Sequence, residues 1–228
     1  MDNDNGRREK LMENLALKAN LQQRIFDNTF AVFNEFKEAL LEFSSELNEE
    51  LDDRLDKRVR IEYRDKGKFE AQLQTAGDVL IFSMHTNVFS FPEGHPVWES
   101  EYLAADRNNA YCGVINIYDF LADSFKYNRN EDLGYLVGRI FINREMQYFV
   151  EGEAPEELRY PQFGSRQITK EAILNIIESS VDYCQRFDLW IPPYESAREV
   201  AVEQMNTKFE NSKIQTGKRL GYPSAEWK

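Results

Sequence analysis

Residues 78–91 read DVLIFSMHTNVFSF, and this stretch decides the fold. Its first part is apolar at consecutive positions, Val79, Leu80, Ile81 and Phe82. Its second part alternates more loosely through Met84, Val88, Phe89 and Phe91. A run rich in β-branched and aromatic residues, bounded by Gly77 and Pro92, fits a central strand covered on both faces better than a helix. The flanking segments are then what covers it.

Just upstream, Val59, Ile61 and Tyr63 alternate with Arg60, Glu62 and Arg64, the pattern of a half-buried strand. Asp65-Lys66-Gly67 forms a turn, and Phe69, Ala71 and Leu73 return from it with the same alternation. With the 78–91 strand this predicts a three-stranded antiparallel meander.

Further back, residues 7–56 contain no proline and are dominated by Leu, Glu, Lys, Ala and Gln, which favours helix throughout. Leu11, Leu15, Ile25, Val32, Phe36, Leu40 (or Ala39) and Phe43 follow a three-four spacing, interrupted by Lys18, Gln22 and Thr29. As one helix of about 50 residues the segment would run roughly 75 Å, longer than a domain of this size needs. A break at Asp27, Asn28 and Thr29 would instead give a helical hairpin. The continuous helix would project its 11–25 half and offer it for dimerisation; the hairpin would only cover a core.

Downstream, Pro92, Gly94 and Pro96 take the chain out of the sheet. Residues 97–105 read as a short helix presenting Trp98, Tyr102 and Leu103, and strand signals resume over 111–118. Residues 119–133 form a polar excursion with Phe120, Phe125 and Tyr127, placed to act as a lid or partner-facing loop. A second hairpin spans 135–150 around Asn143-Arg144-Glu145. After an acidic connector, Thr169 caps an amphipathic helix over 170–187. Pro192-Pro193 leads to a further helix over 195–210 and a polar tail that is locally basic from Lys208 to Lys228.

The expected architecture is therefore α+β: a long N-terminal helical segment, an antiparallel sheet of about six strands, and C-terminal helices packed on it. It divides into a helical segment at 1–57, the sheet with its closing helix at 58–190, and a C-terminal helix with tail at 191–228. The order of elements is similar to that of PAS-, GAF- or profilin-like modules, with no motif residues in common, and such a likeness of arrangement does not fix function.

Composition narrows the function classes. A net charge of −12 argues against a nucleic-acid surface, which depends on clustered Lys and Arg. There is no signal-peptide h-region and no apolar run long enough to span a bilayer, so a soluble, cytoplasmic protein with no membrane partner is expected. Cys112 and Cys184 lie in separate apolar segments without metal-type spacing, which fits a reducing interior.

For chemistry, His85 and His95 flank the end of the 78–91 strand, with Glu93 between them and Asp119 just past the end of a later strand; these four are the candidate ligand-binding residues. Asp119 and Asp123 would share a face if helical, and Cys112 would be a nucleophile with a histidine base. Commoner roles are a hydrogen-bonded strand histidine, turn aspartates and a small buried thiol. The GxSxG, GxGxxG and P-loop patterns are missing. No cofactor and no bound metal are expected. The leading expectation is a non-enzymatic interaction or ligand-sensing module that self-associates through its N-terminal helix and has a possible protein partner. The alternatives are a small metal-dependent enzyme at the end of the 78–91 strand and a structural subunit binding a basic partner.

Overall fold

A computed structural model describes residues 2–54, 56, 59–130, 132–152, 163–189, 191, 193–199 and 202. The N-terminal segment is one helix, α1 (Asp2–Glu50). The polar residues at its middle do not break it because each spends its side chain elsewhere. Asn28 donates to the main-chain carbonyls of Asn143 and Arg144 at 3.2 and 2.9 Å. Thr29, with no exposed surface, donates from its hydroxyl to the Ile25 carbonyl one turn back at 2.7 Å.

Six strands follow: β1 (Glu62–Asp65), β2 (Glu70–Thr75), β3 (Asp78–Met84), β4 (Gly113–Leu121), β5 (Tyr135–Ile142) and β6 (Tyr148–Gly152). They form one sheet in sequential order, every neighbouring pair antiparallel. The Asp65 carboxylate accepts the Gly67 N–H at 2.8 Å, and Gly67 takes φ 110°, a left-handed conformation that closes the first hairpin at little cost without a Cβ. Strand β1 is shorter than the alternation at 59–63 predicts. Ile61 instead gives its N–H to the Asn48 side-chain oxygen and its carbonyl to the Asn48 amide, so the end of α1 takes the place of a strand partner.

One face of the sheet carries the main core. Leu73, Leu80, Phe82, Ile115, Ile117 and Ile140 pack on Val32, Phe33, Phe36 and Leu40 of α1 and on Ile173, Ile176 and Ile177 of α4 (Lys170–Gln185). Each such fully buried aliphatic or aromatic side chain contributes about 1.5–3 kcal/mol of transfer free energy. As expected, α4 begins at Thr169, whose hydroxyl accepts the Ala172 N–H at 3.2 Å. Thr169→Ala is expected to cost about 1 kcal/mol, read as a lower denaturation midpoint.

Among the described residues, the other face is covered most fully at one end. There the chain leaving β3 forms a 3₁₀ turn at Pro96–Glu99, α2 (Glu101–Ala105) and a second 3₁₀ turn at Arg107–Ala110. Val97, Leu103, Phe141, Phe149 and Phe163 make a second core, with Phe141 and Phe149 stacked at 4.7 Å. Strand β3 is thus fully covered on the helical side and only half-buried at Ile81 and Ser83 on the other, which corrects the expectation of two covered faces. It also stops at Met84; beyond it His85 donates its N–H to the Val114 carbonyl at 2.9 Å, and Phe89 pairs with Cys112 as an isolated bridge.

Two boundaries shift. Residues 119–121 complete β4, so the polar excursion starts at α3 (Ala122–Lys126). Of the helix expected over 195–210, α5 (Tyr194–Ala197) is seen; most of the rest, and the basic stretch 208–228, lie outside the described residues.

Candidate functional site

The four candidate site residues do not converge. His85 lies exposed just past β3, its ring Nδ1 accepting the Asn87 N–H at 3.0 Å and its ring edge-on to Phe89 at 4.7 Å. His95 starts the first 3₁₀ turn: its Nδ1 accepts the Val97 N–H at 3.1 Å, and its ring lies 4.8 Å from Phe91. Its Nε2 is 3.8 Å from the Glu151 carboxylate, which also pairs with Arg139. Glu93 is almost fully exposed, 4.0 Å from Arg107.

Asp119 is on the opposite side of the sheet. It pairs in register with Leu80 and alternates with Ile115 and Ile117, so it points, fully buried, to the helical face. Phe91 and the His95 ring on it belong to the other face, with Phe141 and Phe149. Asp123 is on α3, in an ion pair with Arg129 at 3.4 Å, and does not share a helical face with Asp119. Cys112 is buried, and burial alone pushes its thiol well up, away from the thiolate a nucleophile requires. Among the described residues no three His, Cys, Asp or Glu side chains are grouped to hold a metal ion.

Two features of the surface stand out instead. The first is a shallow groove of about 1020 Å³ between the polar face of β1–β3 and α3, with Arg64, Gln72 and Gln74 on one side and Phe125, Lys126 and Tyr127 on the other. Its cations are largely answered in place: Arg64 by Glu62 at 2.6 Å, and Arg129 by Asp123 and Asp132 at 3.4 and 3.7 Å. The alternation placed the sheet side of this groove on a wet face; nothing local in 119–133 told that α3 would form its wall.

The second feature is the N-terminal part of α1. Residues 6–20 are exposed at every position, and burial starts only at Leu21 and is complete at Ile25. Leu11 is 57% exposed, Met12 54%, Leu15 60% and Leu17 71%, values that would be unusual for four neighbouring apolar residues on a helix without a partner. Residues 2–24 carry five cations and four carboxylates on a chain of net charge −12. The apolar line still faces the same side as the core, since the Lys18 ammonium lies over the Tyr111 ring at 5.9 Å.

No known protein family, curated protein sequence or solved structure matches this chain.

The projecting helix is held to the sheet by a polar network at the β5–β6 turn. The fully buried Asn143 donates to the Tyr102 hydroxyl at 2.9 Å, linking α2 to the turn that Asn28 of α1 also grips. Burial and then the hydrogen bond to Glu145 raise the Tyr102 phenol above its ordinary value. A raised folded-state value means that the neutral phenol stabilises the fold fully below about pH 10 and that this contribution is lost as pH rises beyond it. The melting temperature is therefore expected to fall above pH 10, less steeply in Tyr102→Phe. Burial raises Tyr148 as well, so part of the fall remains.

Proposed function

We propose that this chain is a cytoplasmic, non-enzymatic interaction module, of ligand-sensing type, that works as a homodimer joined through the projecting half of α1. The observation that carries this is the run of residues 6–20, which leave the domain as an intact helix with Leu11, Met12, Leu15 and Leu17 in water. Helix in isolation is marginal at this length, so an apolar face kept on it is best accounted for by a partner that buries it. Cys112 and Cys184, both buried and set in separate apolar segments, fit a reducing compartment. Among the described residues no helix is long and apolar enough to cross a membrane. The sensing surface this reading assigns is the groove between β1–β3 and α3, whose mixture of aromatic and amide side chains suits a small polar ligand.

Solution mass by light scattering tests the dimer. The full chain is expected at twice its monomer mass, and Leu11→Glu/Leu15→Glu at the monomer mass with an unchanged circular-dichroism melting temperature. A wild-type chain that stays monomeric at tens of micromolar ends this reading.

A second reading has an observation of its own. The outward face of the other half of α1 exposes Glu35, Glu38, Glu42, Glu46 and Glu49 at successive helical turns, a surface suited to a basic partner. Capture by this face would weaken steeply between low and high salt.

A further inference from the structure

We infer that the connection from β3 to α2 is fastened at both ends by uncharged imidazoles and loosens, first at its β3 end, when they take up a proton. The chain has two histidines, and they stand at the two ends of this connection, His85 just past β3 and His95 just ahead of the first 3₁₀ turn. Each uses its ring in the same way. Nδ1 of His85 accepts the Asn87 N–H at 3.0 Å, and Nδ1 of His95 accepts the Val97 N–H at 3.1 Å. Each ring also lies against a phenylalanine of the connection, His85 on Phe89 at 4.7 Å and His95 on Phe91 at 4.8 Å.

A ring nitrogen that accepts a hydrogen bond carries no proton, so in this arrangement the single proton of each ring is on Nε2. Imidazole takes up a second proton between about pH 5 and 8. That proton goes to Nδ1, turns the acceptor into a donor, and sets it against a main-chain N–H. The direction follows. Both bonds favour the neutral ring, so they hold the connection at high pH and are lost as pH falls.

The surroundings make the two ends unequal. On the β2 side of His85 stand Glu70, in register with Ser83, and Lys68, whose ammonium lies over the Phe30 and Phe69 rings at 5.0 and 5.3 Å. On its β4 side is Val114, whose carbonyl takes the His85 N–H at 2.9 Å. His95 faces charge directly. Its Nε2 lies 3.8 Å from the Glu151 carboxylate of β6, which Arg139 of β5 also holds, while Glu93 is paired with Arg107 at 4.0 Å. A charged His95 ring gives up the Val97 N–H but is kept in place by Glu151, and Val97 itself is fully buried in the second core. The acid form is therefore open at His85 and tethered at His95.

Nuclear magnetic resonance of the full chain between pH 8 and pH 5 tests this on the Asn87 and Val97 amides and the two imidazoles. The Asn87 amide is expected to move with the His85 ring. Its hydrogen exchange, scaled to that of an unstructured peptide at the same pH, is expected to rise about fivefold, the loss of one capping bond. The Val97 amide should move with the His95 ring and change less in exchange. Asparagine has a side-chain oxygen that accepts the N–H two residues on and does not titrate. His85→Asn and His95→Asn are thus expected to hold their amides unchanged down to pH 5. Asn87 and Val97 amides that stay constant while both rings titrate, or that move as much in the asparagine variants as in wild type, would overturn the inference.

Discussion

Replacing Gly113 by alanine is expected to destabilise the protein by about 3 kcal/mol, the upper part of the range for forcing one extra carbon into a packed core. Gly113 opens β4 opposite Ile142, and its α-carbon lies directly under α1. A β-carbon there would stand 2.0 Å from the Thr29 hydroxyl oxygen, 2.8 Å from its Cβ and 2.9 Å from its Cγ2. Thr29 cannot swing away, because it is fully buried and its hydroxyl is held by the Ile25 carbonyl at 2.7 Å. The backbone of Gly113 is not left-handed, so the cost is one of space alone. Thr29→Ala removes the hydroxyl oxygen and Cγ2 and leaves the 2.8 Å approach to Cβ, which a shift of a few tenths of an ångström eases. The double variant is therefore expected to be more stable than the sum of the two single changes requires, with a coupling of about 1 kcal/mol or more in a denaturation cycle. A Gly113→Ala midpoint equal to wild type would mean that α1 does not seat on the start of β4.

The same contact explains why the continuity of α1 was hard to read. Asp27, Asn28 and Thr29 are poor helix formers, and a helix break there is a fair local inference. What overrides it lies more than eighty residues away: the β5–β6 turn that takes the Asn28 amide, and the glycine that makes room for Thr29. The sheet was more legible because its signal is local. Ala71 with Leu73, and Ile115 with Ile117, alternate strictly, and each pair lies on the helical face. The same alternation already separates Asp119 from a site on the other face, since 115, 117 and 119 share a side. Grouping it with His85, Glu93 and His95 relied on residues near a strand end and passed over which face each would take. The groove beside α3 and the exposure of residues 6–20 depend on where the domain ends in space, and no pattern along the chain records that.

Replacing Asn143 by alanine is expected to have a comparable effect, again about 3 kcal/mol, through polar groups rather than space. Asn143 has no exposed surface and uses both ends of its amide. Its Oδ1 accepts the N–H groups of Glu145 and Gln147 at 2.9 and 2.8 Å, and its Nδ2 donates to the Tyr102 hydroxyl and the Gln147 Oε1 at 2.9 and 3.0 Å. The two accepted bonds fix a turn in which Met146 takes φ 58°, a left-handed conformation that a methionine adopts only when its neighbours hold it there. Alanine leaves two main-chain donors of the turn without their acceptor, and each costs about 1–3 kcal/mol if water does not reach it. Faster amide exchange at Glu145 and Gln147 should accompany the lower denaturation midpoint. Tyr102→Phe removes only one of these contacts, together with the hydroxyl's hydrogen bond to Glu145, and should cost less; added to Asn143→Ala it should cost less than it does alone, since the hydroxyl has already lost its Asn143 donor there. Asn143→Asp separates the two halves of the amide. It keeps the acceptor but can donate only when protonated, and a carboxylate in a fully buried position has its titration pushed upward. That variant is expected to approach wild-type stability as pH falls through its raised titration and to lose most at neutral pH, where the wild-type amide does not titrate. An Asn143→Asp chain equally stable at pH 5 and pH 8 would show that the donated bonds to Tyr102 and Gln147 contribute nothing to the turn.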